Sequence, residues 1–304
     1  MISKKPILVT GSPRSGTTWV GRIIAQAPPV HYVHEPFNTS GLPCYCGVNF
    51  DYWFYYISSE NESDFCEHLT HLIHPKLSRV SLLNLIAEMK QTRRVRPLVN
   101  FTESLFKQRP LLKDPLALFS AEWLTNTFNM DVVILIRHPA AIVSSYKTLN
   151  WTHPFSHFLK QPLLMDNHLA NFADEITDFA NNEYDVVDQA ALLWKLTHHI
   201  ILKYSQTRPG WIFVRHADIS LDPINGFQTV FDRLNLLFSD EVKQTVQSHT
   251  TSANPSEHAD PYSIKRQSKQ TIWSWKNKLT SKEIYRVRRR TEEISQAFFK
   301  EEDW

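Results

Sequence analysis

Between Gly11 and Trp19 the chain reads Gly-Ser-Pro-Arg-Ser-Gly-Thr-Thr-Trp, the densest group of chemically useful residues in its sequence. Two of only seven glycines bound a stretch of hydroxyls and one guanidinium, Arg14. A loop of this kind, set after a strand and before a helix, aims backbone N–H groups at one point and adds the positive end of a helix dipole. Its chemistry is capture of a phosphate-like anion. The loop departs from the ATP-binding pattern G-x-x-x-x-G-K-[ST], because Thr17 stands where a lysine would reach the β and γ phosphates. Arg137 ends the apolar run Asp131–Ile136, where metal-assisted triphosphate chemistry would want an acid. A guanidinium fork there suits phosphate oxygens instead. Together the departures point to an anion without a metal-chelated triphosphate tail, and away from a kinase or nucleotidase. No metal is expected.

These residues need a scaffold, and the hydrophobic pattern supplies one. Residues 6–10 are a short apolar run ending in Gly11, which predicts a buried strand. Residues 17–27 carry Trp19, Val20, Ile23 and Ile24 at helical spacing, and Pro28-Pro29 stop that helix. Residues 30–33 read as a second strand and 110–113 as a third. Residues 131–136 (Asp-Val-Val-Ile-Leu-Ile) read as a central parallel strand, and 211–214 as a further one. Helices are predicted over much of 61–91, over 116–127, from Pro139, over 185–204, from Asp222-Pro223, and over 281–299. Alternation of strands and helices predicts an α/β fold, a P-loop-NTPase-like parallel sheet flanked by helices. The 304 residues show no repeat and no linker, so one domain over 1–304 is expected.

Composition removes several classes. The net charge of +2, from 33 basic and 31 acidic side chains, is too small for a protein that lives on a nucleic-acid backbone. Cys44, Cys46 and Cys66 make neither a disulfide framework nor a zinc set. No apolar run has the length of a membrane span, and the N-terminus lacks the features of a signal peptide, so a cytoplasmic enzyme is expected.

Residues 13–19, Pro13, Arg14, Ser15, Gly16, Thr17, Thr18 and Trp19, resemble the 5′-phosphosulfate loop of the sulfotransferases that use 3′-phosphoadenosine 5′-phosphosulfate (PAPS). A second element is similar too: Arg137 at a strand end and Ser145 eight residues on, in Ile-Arg-His-Pro-Ala-Ala-Ile-Val-Ser-Ser-Tyr. In that family such a pair grips the 3′-phosphate. The resemblance covers 6–235 loosely and is specific at these motifs and two more. Glu35, in His34-Glu35-Pro36-Phe37, lies twenty-one positions after Arg14. Tyrosylprotein and carbohydrate sulfotransferases place their general base at that spacing. Lys113, in Leu-Lys-Asp-Pro, resembles a lysine near the transferring group of the tyrosylprotein enzymes. Arg215-His216-Ala217-Asp218 stands in place of a Tyr-Glu-Asp-Leu-like element, with His216 for the tyrosine. The Ser- and Lys-rich stretch 252–271, read as a mobile loop, resembles the basic loop that closes on the 3′-phosphate, through Lys265 and Arg266.

The resemblance implies PAPS as co-substrate, adenosine 3′,5′-bisphosphate (PAP) as product, and a hydroxyl-bearing acceptor, carbohydrate or similar. It implies that the loop, Arg14, Thr17 and Thr18 hold the 5′-phosphate, that Arg14 and Lys113 neutralise charge on the bridging oxygen, and that Glu35 takes the acceptor's proton. His31 and His34 flank Glu35 and are the alternative bases. Trp19 reads either as core or as an adenine-stacking ring. Aromatic residues crowd the insertion at 39–60, among them Phe50, Tyr52, Trp53, Phe54, Tyr55 and Tyr56, and read either as a satellite core or as the acceptor side of a cleft. A metal-dependent P-loop kinase and a non-catalytic nucleotide-binding protein are the competing classes.

Overall fold

The computed structural model describes residues 5–39, 49–74, 109–250 and 272–304, with isolated positions between 83 and 102. Its centre is a five-stranded parallel sheet: β1 (Ile7–Gly11), β2 (Val30–His34), β3 (Arg109–Lys113), β4 (Asp131–Ile136) and β5 (Ile212–Arg215). The spatial order is β2-β3-β1-β4-β5. Among the described residues the longer helices are α1 (Thr17–Ile24), α2 (Cys66–Ile73), α3 (Ala121–Phe128), α4 (Pro139–Leu149), α5 (Ala173–Asn181), α6 (Val186–Thr207), α7 (His216–Leu221), α8 (Pro223–Arg233), α9 (Asp240–Thr250) and α10 (Ser281–Ser295).

Successive side chains of a strand point to opposite faces, and here both faces are buried. Ile7, Val9, Leu111, Val133 and Leu135 join Val20, Ile23 and Ile24 of α1 and Phe227, Val230 and Phe231 of α8 in one core. Leu8, Leu112, Val132, Ile134 and Ile136 face the other, filled by α4, α6 and α10. Helix starts follow local chemistry. Asp185 accepts from Asp188 N at 2.9 Å to open α6, and Thr280 with Glu283 forms a capping box for α10.

The register brings the carboxyl ends of the strands to one edge. Val9 lies opposite Lys113, Lys113 opposite His34, Gly11 opposite Leu135, and Ile136 opposite Arg215. Crevices at such edges are where open α/β sheets hold ligands. The opposite edge is sealed. There Arg109, fully buried, donates to Lys5 O at 2.8 Å, to Leu234 O at 2.5 Å and to Asp131 at 2.6 Å.

Several boundaries differ from the sequence reading. α1 ends at Ile24, where the chain turns before Pro28. Residues 115–128 are a 3₁₀ helix, Pro115–Ser120, running into α3, because Asp114 caps Leu116 and Pro115 opens a tighter turn. α10 stops at Ser295, and β5 extends through Arg215. Within 61–91 a 3₁₀ turn, Glu62–Asp64, leads into α2; the stretch beyond 74 lies largely outside the described residues, and its described positions are helical, as expected. Phe50 and Phe54 are buried in the core, so for these two the satellite-core reading holds.

Histidines His153 and His198 are buried with the core. His153 sits among Phe54, Phe155 and Phe158, at 4.9–5.6 Å between ring centroids, and neither ring nitrogen has a hydrogen-bond partner among the described residues. Burial pushes both histidines down to about 3. The unfolded chain therefore takes up protons that the native one does not, and stability present above the ordinary value of about 6.5 is lost as pH falls toward 3. Each contributes about 1.4 kcal/mol per pH unit over that window. His153→Phe is expected to raise stability at pH 5 by about 2 kcal/mol and to flatten the acid limb. Urea denaturation at pH 5 and pH 7 reads both effects, and a variant with the wild-type slope would contradict the account.

Candidate active site

The loop after β1 turns on three left-handed residues, Gly11 at φ 145°, Arg14 at φ 69° and Gly16 at φ 101°. A side chain on Gly11 would put its Cβ 2.5 Å from the Leu135 carbonyl oxygen, which is backbone and cannot yield. On Gly16 it would lie 2.7 Å from the His216 ring. The glycines therefore let the loop pass close to β4 and to the start of α7. Ser15 N donates to Ser12 O at 3.1 Å, and α1 begins with no acidic residue in its first turn. The hydroxyls of Ser12 and Ser15 are buried and have no hydrogen-bond partner among the described residues. Pro13 and Thr17 are buried, and Thr18 is half-buried. Hydroxyls, a helix N-terminus and Arg14 at one point are a donor set that fits a sulfated or phosphorylated nucleotide.

The second cationic element touches the first. Arg14 Nε donates to Ser145 Oγ at 3.0 Å, and Arg137 Nη1 donates to Arg14 O at 2.7 Å. Trp194 Nε1 holds Arg137 O at 2.9 Å, fixing the end of β4. Ser144 turns back to Ala141 O within its own helix, so Ser145 is the serine aimed at the loop. Trp151, which sequence reasoning missed, lies under Arg14, with the guanidinium carbon 5.4 Å from the ring centroid. Its only sequence signal is a tryptophan one residue beyond Asn150, the left-handed cap of α4.

On the other side of β1, Lys113 Nζ donates to Glu35 Oε1. Glu35 N donates to Lys113 O at 2.9 Å, and Asn38 Nδ2 donates to Glu35 Oε2 at 2.9 Å. Lys113 is fully buried, and burial lowers its pKa although Glu35 counteracts. Burial acts to raise the Glu35 carboxyl, but the Lys113 ammonium and Asn38 amide outweigh it, and the group is held below its ordinary range. Glu35 itself adopts φ 44°, a conformation that costs a residue with a Cβ about 1–2 kcal/mol. Asp114, next to Lys113, is fully buried and is pushed up to about 7, by burial first and the Glu35 charge second.

The two histidines beside Glu35 occupy different places. His31 is buried within the sheet opposite Pro110, three residues short of the edge. His34 stacks on Tyr32, whose hydroxyl lies 3.3 Å from His34 Nδ1, and surrounding protein, then the Lys113 charge, push it down to about 4. Trp19 meets Phe227 edge-on at 5.1 Å and His216 at 6.1 Å, and its indole N–H is buried without a partner among the described residues. Arg215 turns away, pairing with Asp303 at 3.2 Å. Lys265 and Arg266 lie outside the described residues, as do Cys44 and Cys46. Cys66 is a free thiol.

A parallel α/β sheet with an anion loop after its first strand, and further cations on the same edge, defines a protein built to bind a nucleotide through more than one anionic group. A profile of the sulfotransferase family matches residues 6–240, and the chain belongs to that family of enzymes. PAPS is the co-substrate typical of the family. The sulfotransferase domain from the curacin biosynthetic pathway is similar in fold, at 17% identity and a TM-score of 0.53 over 96% of both chains. Also similar are the sulfotransferase domain of the Synechococcus PCC 7002 olefin synthase (15% identity, 98% of this chain and 97% of that one, TM-score 0.47) and mouse sulfotransferase SULT7A1 complexed with PAP (12%, 97% and 85%, 0.45). No curated protein matches the sequence significantly. Among the described residues no helix is long and apolar enough to cross a membrane.

Gly21, in the middle of α1, supports the site in a way the sequence did not signal. A Cβ there would lie 3.0 Å from Lys113 Cγ and 3.2 Å from the Tyr32 ring. Alanine is the better helix former by about 1 kcal/mol, so Gly21→Ala should leave the fold intact while displacing the Lys113 stem by a few tenths of an ångström. Turnover is expected to fall about tenfold with affinity for adenosine 3′,5′-bisphosphate unchanged. Steady-state kinetics beside calorimetric titration would show it, and unaltered turnover would mean that Lys113 tolerates the shift.

Proposed function

We propose that this enzyme moves the sulfuryl group of PAPS to a hydroxyl of a carbohydrate or similar acceptor, with Glu35 as general base. The observation that carries the reading is the Lys113–Glu35 ion pair on the same strand edge as the Arg14 loop. An ion pair there gives the reaction a proton acceptor and a cation side by side. Sulfuryl transfer, like phosphoryl transfer, is a loose in-line displacement helped mainly by positioning and charge. The acceptor oxygen forms a bond to sulfur while the bond from sulfur to the bridging oxygen of the 5′-phosphate breaks. The proton of the hydroxyl goes to Glu35, and adenosine 3′,5′-bisphosphate leaves.

The residues divide the work by position. Pro13, Arg14, Ser15, Gly16, Thr17 and Thr18 take the 5′-phosphate, Arg137 and Ser145 take the 3′-phosphate, and Trp19 takes the adenine side. Arg14 and Lys113 offset the charge that builds on the leaving oxygen. Glu35 is preferred to its neighbours as base because His31 is buried short of the edge, and His34 stacks on Tyr32 while the Lys113 ammonium pairs with Glu35. Lys265 and Arg266 are assigned to the 3′-phosphate on resemblance alone.

Titration with adenosine 3′,5′-bisphosphate, ATP and AMP, all without magnesium, tests the donor site. The bisphosphate is expected to bind far more tightly than ATP; the reverse order would return the chain to the kinase reading. Glu35→Gln should keep bisphosphate affinity and lose about 10²–10⁴-fold in turnover, whereas Arg137→Ala should weaken bisphosphate binding. A Glu35→Gln enzyme with most of its turnover would refute the base assignment.

A further inference from the structure

Asp114 is fully buried on the active edge and has no part in the transfer just described. Its carboxylate ties two segments together. Oδ2 accepts from Phe37 N at 2.6 Å, and Oδ1 accepts from Leu116 N at 2.8 Å. Its own N–H donates to Val9 O at 3.0 Å, which joins it to the strand that delivers the anion loop. One side chain thus links the turn carrying Glu35, the start of the Pro115–Ser120 helix and β1.

The turn needs such a link. Glu35 sits in the left-handed region, which a residue with a Cβ holds only when its surroundings impose it. The backbone donors of the turn can be counted in full. Glu35 N goes to Lys113 O, Pro36 has none, Phe37 N goes to Asp114, and Asn38 N goes to Glu35 O. Only the Phe37 bond ties the part of the turn beyond Glu35 to the end of β3 through a side chain, and because both groups are buried its loss would leave an N–H without a partner. The Asn38 amide then holds the second carboxylate oxygen of Glu35 from within the same turn.

We propose that Asp114 is a positioning residue, fixing the 35–38 turn so that Glu35 faces the ammonium of Lys113 and the acceptor hydroxyl. This rests on the reading of Glu35 as the base. Asp114→Asn keeps the shape but offers one acceptor oxygen and one NH₂ group, so either the Phe37 or the Leu116 N–H loses its partner. The expected result is a fall in kcat of about 10–100-fold, with KM for PAPS and the dissociation constant of adenosine 3′,5′-bisphosphate within about twofold of wild type, well inside a tenfold effect.

A role exerted through Glu35 must also vanish when Glu35 is gone. Adding Asp114→Asn to Glu35→Gln, and following turnover over long incubations, should therefore produce no further loss. Multiplying effects would overturn the proposal, as would an unchanged kcat in Asp114→Asn or a loss of bisphosphate affinity equal to the loss of kcat. Glu35→Gln alone reports on the base: if it keeps its turnover, the base reading falls and this role with it. If it loses turnover while Asp114→Asn does not, only the positioning role falls. Should Asp114→Asn fail to bind bisphosphate because it does not fold, Asn38→Ala loosens the same turn from its other side. A kcat loss that disappears in the Glu35→Gln background supports the fixed turn, and an unaffected kcat overturns it.

Discussion

A lysine without exposed surface cannot keep its charge unless something nearby repays the lost hydration, and Lys113 meets that condition through Glu35. The pairing places both groups. Lys113 closes β3 and Glu35 follows β2, adjacent strands in register, so the ammonium and carboxylate meet only where the two strands end together. With β1 on the other side of β3, the anion loop leaves the sheet at the same edge. The small residue at Gly21, the left-handed Glu35 and the buried Asp114 are all local consequences of fitting that pair into a crowded edge.

The opposite edge shows what a cation looks like when the fold alone uses it. Arg109 is as buried as Lys113, but two fixed carbonyls and Asp131 take its donors, so it locks the amino ends of β3 and β4 to the segments before and after them. At the active edge Arg14 donates to a hydroxyl and Arg137 to a backbone carbonyl. Phosphate oxygens are stronger acceptors for guanidinium than either. On the proposed reading, the same residue type is structural at one end of the sheet and holds ligand phosphates at the other.

How much of this could be read from the chain depends on how local each signal is. The central strands β1 and β4 were legible as short apolar runs, because a strand buried on both faces leaves few polar positions to confuse it. The anion loop was legible because Gly11, Gly16 and Arg14 lie within six residues and their left-handed geometry is a local demand. Ser145 rather than Ser144 followed from the resemblance, which places the serine eight residues after Arg137. The Lys113–Glu35 contact was not legible from the residues alone, since 78 positions separate the two and only the strand order makes them neighbours. Gly21 reads in sequence as a weak point in a helix, and its purpose depends on what packs over it. The aromatic insertion was ambiguous for the same reason: burial of Phe50 and Phe54 depends on α2 and on Phe119, not on any period in the insertion itself.

The ion pair also sets a tension that the proposed chemistry must resolve. The ammonium that keeps Glu35 ionised and ready also lowers its basicity, because the charge that favours the carboxylate disfavours its protonation. A base held this way is weak while the pair is intact. An anionic donor arriving at the edge competes for the same ammonium, and any shift of Lys113 toward the leaving oxygen weakens its hold on Glu35. Under the proposed roles the carboxyl pKa would then rise as negative charge builds on the leaving group, and the two steps would reinforce each other in the transition state rather than in the ground state. On that reading the pair is a coupling device: Glu35 becomes a competent base when the donor is in place, and the low basicity of the donor-free pair protects a buried charge until then.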